Sequence, residues 1–148
     1  MIIFAVDPGE KTGAWAVCKD GVVIEVGRAR GDNWLRTAES IVDALDELRP
    51  DVVAVERYVP HGGSSVIGVA HCVGAVLFWA RQTQHQARLL EVAPVRWMEW
   101  AKRKQVAIAL RGEQAPLHWD YRDEHIRDAV RLSYYVYAAI VAEKEKGK

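Results

Sequence analysis

Apolar and polar positions along the chain fall into short runs with two different periods. Ile2-Ile3-Phe4-Ala5-Val6 is an unbroken apolar run that ends on Asp7-Pro8-Gly9, which reads as a strand covered on both faces and closed by an acid at a turn. Residues 14–18 form a second apolar run, Lys19-Asp20-Gly21 is a hairpin signal, and residues 22–27 supply a third strand. Three antiparallel strands are therefore expected before any helix. The period then changes to 3.6: Asp32 or Asn33 caps a helix with apolar positions at Trp34, Ala38, Ile41, Val42, Leu45 and Leu48, and Arg49-Pro50 ends it. Asp51-Val52-Val53-Ala54-Val55-Glu56 is a fourth strand, again buried and again ending in an acid. A long apolar helix is expected from Ser64 or Ser65 to about residue 86, and a fifth strand over residues 89–93. Pro94 then opens a short helix, and a last helix spans about residues 123–143, with Ile126, Ala129, Val130, Ser133 and Tyr137 facing inward. The fold class is α/β: a five-stranded mixed sheet flanked by helices.

Composition narrows the possible functions only a little. The chain has 148 residues, half of them apolar, with 20 basic against 20 acidic side chains, so any nucleic-acid surface must come from local clustering. One domain over residues 1–143 is expected, followed by a charged tail over residues 144–148. Cys18 and Cys72 have no CxxC spacing and read as small core residues of a reducing compartment. No apolar run reaches the roughly 18 residues of a membrane span. With no leader-like N-terminus, a cytoplasmic location is expected.

The candidate chemistry lies in the acids. Asp7 and Glu56 each end a buried strand, and if those strands are parallel neighbours both carboxylates emerge at one sheet edge. Two such groups repel unless a cation compensates them. His125 and Asp128, three apart on the last helix, share one face, and the small Ala129 allows close packing. Three carboxylates and an imidazole suit one or two Mg²⁺ or Mn²⁺ ions, the nitrogen leaning toward Mn²⁺. A pair of such ions about 4 Å apart serves phosphoryl transfer. Each residue also has a plainer reading: Asp7 as a turn former, Glu56 as a solvated acid, His125 as an ordinary surface or core histidine. Turn formation does not explain a second acid ending a second buried strand.

These residues resemble a family. Asp7-Pro8-Gly9 with Gly13 looks like the first motif of the RuvC-type Holliday junction resolvases. Val53-Ala54-Val55-Glu56 resembles their second, and His125-Ile126-Arg127-Asp128-Ala129 is similar to their last. The resemblance implies a ribonuclease H-like fold, whose element order also agrees. It further implies a metal-dependent endonuclease acting on four-way DNA junctions, with Asp7, Glu56, His125 and Asp128 as the metal-binding catalytic set and Glu124 in reserve for His125. Family members are homodimers paired through a helix. The apolar helix containing Gly68, Ala70, Gly74 and Phe78 fits that role, or is simply buried in one subunit.

The chain departs from the family between the fifth strand and the last helix. The family's glycine loop is missing there, and Met98 stands where a lysine is expected, which suggests a divergent, phage-type branch. From Arg96 to Arg111 five basic residues (Arg96, Lys102, Arg103, Lys104, Arg111) face the single acid Glu99. Together with Arg57 they are candidate phosphate contacts, the alternative being a solvated helix face. Tyr58 is a candidate DNA-probing aromatic, while Trp97 and Trp100 either stack on bases or fill core. Two rival functions remain: a nuclease of the ribosomal-RNA-maturation type, and a non-catalytic nucleic-acid-binding module of the same fold.

Overall fold

A computed structural model describes residues 1–9, 11–57, 66–82, 87–104 and 123–147. Five strands, β1 (Ile2–Asp7), β2 (Thr12–Lys19), β3 (Val22–Arg30), β4 (Val52–Glu56) and β5 (Arg88–Val92), form one sheet in the order β3-β2-β1-β4-β5. β1–β2 and β2–β3 pair antiparallel, whereas β1–β4 and β4–β5 pair parallel. The helices are α1 (Trp34–Leu48), α2 (Val66–Gln82), α3 (Pro94–Lys104) and α4 (Glu124–Lys146). The expected mixed sheet is thus present, with four helices among the described residues.

Local chemistry accounts for the element ends. Asp20 and Gly21 both take positive φ, 51° and 87°, the backbone of the two-residue hairpin turn. At Gly21 a Cβ would come within 2.8 Å of the Tyr137 ring, so the turn also receives α4. Asn33 caps α1 by accepting from the amides of Leu35 and Arg36, and Arg49 closes the helix in a left-handed conformation at φ 41°.

Side-chain alternation splits the core between the two faces of the sheet. Phe4, Val6, Val17, Val53 and Val55 face α1 and α2, meeting Ile41, Leu45, Val76 and Trp79. Ile3, Ala5, Ala14, Ala16, Val52 and Ala54 face α4, meeting Ile126, Ala129, Val130, Leu132 and Val136. The alanines leave little side-chain bulk between sheet and helix, so α4 lies close. Asp7 continues the 3, 5 parity of β1, and Glu56 continues the 52, 54 parity of β4. Both acids are therefore delivered to the α4 side.

Two expectations shift. β3 runs three residues past Gly27, because pairing with β2 continues to Arg30↔Thr12 despite the polar sequence. α4 continues through Lys146, so Lys144 to Lys146 of the anticipated tail are helical and exposed; glutamate and lysine are good helix formers. Tyr137 faces inward as expected, half-buried against the core beside the hairpin, and Leu132, Val136 and Ile140 complete that face. Both cysteines are buried thiols, not joined in a disulfide. Among the described residues no helix is long and apolar enough to cross a membrane.

If the alanine strip sets the height of α4, Ala5→Leu overpacks the interface. It is expected to cost about 1–3 kcal/mol in urea unfolding; a cost near zero would show that α4 rides on other contacts.

Candidate metal and nucleic-acid site

The strand register brings the acids together. β1 and β4 pair Ile3↔Val52 through Val6↔Val55, and one further step places Asp7 beside Glu56. Adjacent strands lie about 4.8 Å apart. The loop after Asp7 is tight: a Cβ on Gly9 would overlap the Thr12 carbonyl at 1.7 Å, and the Cys72 thiol of α2 lies 3.4 Å from the Gly9 carbonyl oxygen. That loop turns the chain sharply at the acid.

α4 supplies the remaining groups. Asp123 caps it, Oδ1 accepting from the Ile126 amide at 3.2 Å. His125 Nδ1 lies 2.7 Å from Asp7 Oδ2, a contact bridging 118 positions of sequence. Asp128, one helical step further, accepts from Arg131 at 3.0 Å. The Asp7 and Asp128 side chains are only 14% and 17% exposed, against 39% for His125. The strand register thus carries Asp7 and Glu56 to one sheet edge, and α4 brings His125 into contact with Asp7 there, with Asp128 one turn further along the helix. Glu124 is exposed but near enough to act electrostatically on Asp7 and Asp128.

Electrostatics show how crowded this edge is. Burial pushes the Asp7 carboxyl up; His125 pulls it back, while Asp123 and Glu124 raise it further. Burial, then Asp7 and Asp128, push Glu56 to about 7. Asp128 is raised by burial and by Asp7, against the pull of Arg131. His125 is raised chiefly by its hydrogen bond to Asp7, with burial opposing. Asp7 thus raises the proton affinity of both Glu56 and Asp128, and Asp128 adds to that of Glu56. In kind the three carboxylates fit a hard divalent cation. Among the described residues no three acid, imidazole or thiol groups are yet gathered around one point, with Asp7 turned to His125 and Asp128 to Arg131.

Two participants, Asp123 and Arg28, were not singled out from the sequence as site residues, and Trp97 takes the core role of its two readings. Asp123 is read there only as a helix start, yet it is 8% exposed and its Oδ2 accepts from the Arg28 guanidinium of β3. Arg28 itself falls beyond the expected end of that strand. Trp97 is core at 1% exposed, and among the described residues its indole N–H has no hydrogen-bond partner. That group nevertheless lies close enough to Glu56 to favour its ionised form. Trp100 is half-buried, edge-on to Tyr135.

The other candidates are placed as follows. Arg57, Arg96, Lys102, Arg103 and Lys104 are exposed, the last four on α3, which begins two residues beyond the Glu56–Val92 pair. Tyr58 and Arg111 lie outside the described residues. On α2, Ala70, Gly74 and Phe78 are exposed, Phe78 at 66%, and Ile67 joins them at 63%. Gly68 is buried on the inner side of the helix and does not belong to that stripe.

A carboxyl with a raised folded pKa binds its proton more tightly folded than unfolded, so its stabilising effect is present at low pH and lost as pH rises toward 7. Glu56→Gln is accordingly expected to stabilise the metal-free protein more at pH 8 than at pH 5, read by urea unfolding. An equal effect at both values would contradict the burial of that charge.

At the sequence level no family model and no curated protein matches the chain. Solved structures do. Thermus thermophilus RuvC in complex with a Holliday junction substrate superposes with a TM-score of 0.74 at 20% identity, covering 95% of this chain and 96% of that one. The fowlpox virus resolvase, in complex with Holliday junction DNA, gives 0.64 at 16% identity, covering 95% and 99%. The yeast mitochondrial Holliday junction resolvase Ydc2 gives 0.61 at 16%, covering 93% and 80%. The chain has the ribonuclease H-like fold that these resolvases share.

Proposed function

We propose that the chain is a divalent-metal-dependent endonuclease that cuts branched DNA, four-way junctions above all, by phosphodiester hydrolysis. The observation that carries this reading is the placement of Asp7, Glu56, His125 and Asp128 at one edge of the sheet, where Asp7 and Asp128 are mostly buried and Asp7 meets His125 at 2.7 Å. The shared fold supports it, since two of the matching structures are resolvases described with Holliday junction DNA.

Asp7, Glu56 and Asp128 would hold Mg²⁺ or Mn²⁺, with His125 as a further ligand or proton carrier. Such an ion, when bound, supplies activation of water and stabilisation of the leaving oxygen. The protein's own part is positional. β1 and β4 fix two carboxylates side by side, and α4 lowers a third onto them. The His125 ring, held on Asp7 through Nδ1, keeps Nε2 as the nitrogen that can accept a proton. Arg57, Arg96, Lys102, Arg103 and Lys104, with Tyr58 and Arg111, are the proposed DNA contacts. A neutral protein needs such clustering to attract phosphate, and binding would weaken as salt rises. The stripe of Ile67, Ala70, Gly74 and Phe78 is the proposed homodimer surface. Nothing lies within 4 Å of a Cβ built on Gly74, which leaves room for a second helix to approach closely.

The direct test is cleavage of an end-labelled four-way junction beside linear duplex, a Y-fork and an RNA–DNA hybrid, with Mg²⁺ or Mn²⁺. Paired nicks confined to the junction are expected. Asp7→Asn should lose at least about 100-fold in rate while still binding DNA, since loss of a ligand exceeds the roughly 10–100-fold range of outer residues. Cutting of RNA substrates in preference would favour the ribosomal-RNA-maturation type, and binding without any cutting would favour an idle module. Phe78→Glu is expected to shift the protein from dimer to monomer in analytical ultracentrifugation. A wild type already monomeric at tens of micromolar would contradict the proposed interface.

A further inference from the structure

The sheet arranges one row of residues under the start of α4. Arg28 pairs with Ala14, Ala14 pairs with Asp7, and Glu56 stands one strand further along. The neighbour of Arg28, Ala29, belongs to the core on the opposite face, so Arg28 points to the α4 side with Asp7. Ala14 between them is small, and the Arg28 side chain reaches past it to Asp123. Asp123 is thereby saturated: Oδ1 takes the Ile126 amide, Oδ2 takes the Arg28 guanidinium, and its carbonyl oxygen takes the Arg127 amide at 3.1 Å. Two residues on, His125 makes the second contact with the same row, through Asp7. The first turn of α4 is thus tied to the sheet at two points, one on each side of Ala14.

The pairing also settles a problem of charge. The Asp123 side chain is 5% exposed and close enough to Asp7 to repel it. Unpaired, it would be a buried charge beside three other acids, which is costly. Arg28 is 26% exposed at the side chain, so most of it is committed to the protein.

We propose that Arg28 is a positioning residue: by holding Asp123, the cap of α4, it fixes the helix end at which His125 and Asp128 meet Asp7 and Glu56. It touches neither the proposed ion nor the scissile phosphate and acts through the helix. This rests on the proposed metal site, so the test separates the two.

The variants are Arg28→Gln, Arg28→Lys, Asp123→Asn and the Arg28→Gln/Asp123→Asn double. Asparagine still caps a helix, so Asp123→Asn removes the charge partner while sparing the cap. Mn²⁺ affinity of the DNA-free protein is measured by electron paramagnetic resonance, amide exchange at Ile126 and Arg127 by NMR, and kcat and KM on a four-way junction. Arg28→Gln is expected to weaken Mn²⁺ binding and lower kcat by roughly 10–100-fold with KM little changed, the range found for groups that orient metal ligands. Exchange at Ile126 and Arg127 should quicken, Arg28→Lys should recover part of each loss, and the double variant should be no worse than either single one.

Unchanged Mn²⁺ affinity and exchange in Arg28→Gln would overturn the proposal. So would a loss confined to KM and additive with Asp123→Asn, the behaviour of a plain phosphate contact. If wild type binds Mn²⁺ but cuts no DNA, the nuclease reading falls while the clamp is decided by affinity and exchange. If wild type binds no Mn²⁺, both the ion and the clamp's purpose are refuted.

Discussion

Mutual repulsion between carboxylates carried to one edge of a sheet is the interaction around which this protein is arranged. Parallel pairing of β1 with β4 puts Asp7 beside Glu56, and side-chain parity turns both toward α4. Neither acid can escape by rotating to the other face, because that face is filled by Phe4, Val6, Val53 and Val55 against α1 and α2. The fold therefore concentrates negative charge where solvent is scarce, and everything near that edge relieves it or exploits it.

Relief comes in layers. His125 pairs with Asp7, Arg131 donates to Asp128 and Arg28 to Asp123, whereas among the described residues Glu56 has no cationic or imidazole partner. Glu56 is left with the buried indole of Trp97 nearby, and its carboxyl is pushed up to about 7. An ion entering between Glu56 and its neighbours would compensate the group that the protein itself compensates least. On that view the ion pairs around the edge hold the site open and ordered until the ion arrives.

Much of this was legible in the sequence, for physical reasons that vary by element. The runs IIFAVD and VVAVE declare buried strands because nothing polar interrupts them, and their final acids stand out for the same reason. His125 and Asp128 share a face because the helical period leaves no choice. Arg28 and Asp123 were less visible as a pair: they are 95 positions apart, and each has an ordinary local role as a strand polar residue and a helix cap. Only the strand register, which sequence does not state, carries Arg28 to the row beneath the start of α4, where Asp123 stands. Gly68 misled for a related reason, since an all-round apolar helix does not reveal which side its own sheet covers. The basic run of α3 was readable as exposed, but only the Glu56–Val92 pairing locates it near the acids.

The central claim is that Asp7, Glu56 and Asp128 share a divalent cation, and anomalous X-ray diffraction from crystals grown with Mn²⁺ tests it most directly. The account predicts an anomalous peak bounded by those three carboxylates, with Asp7 drawn away from sole contact with His125. Full Mn²⁺ exposure with no peak at that edge, and Asp7 still paired only with His125, would contradict it.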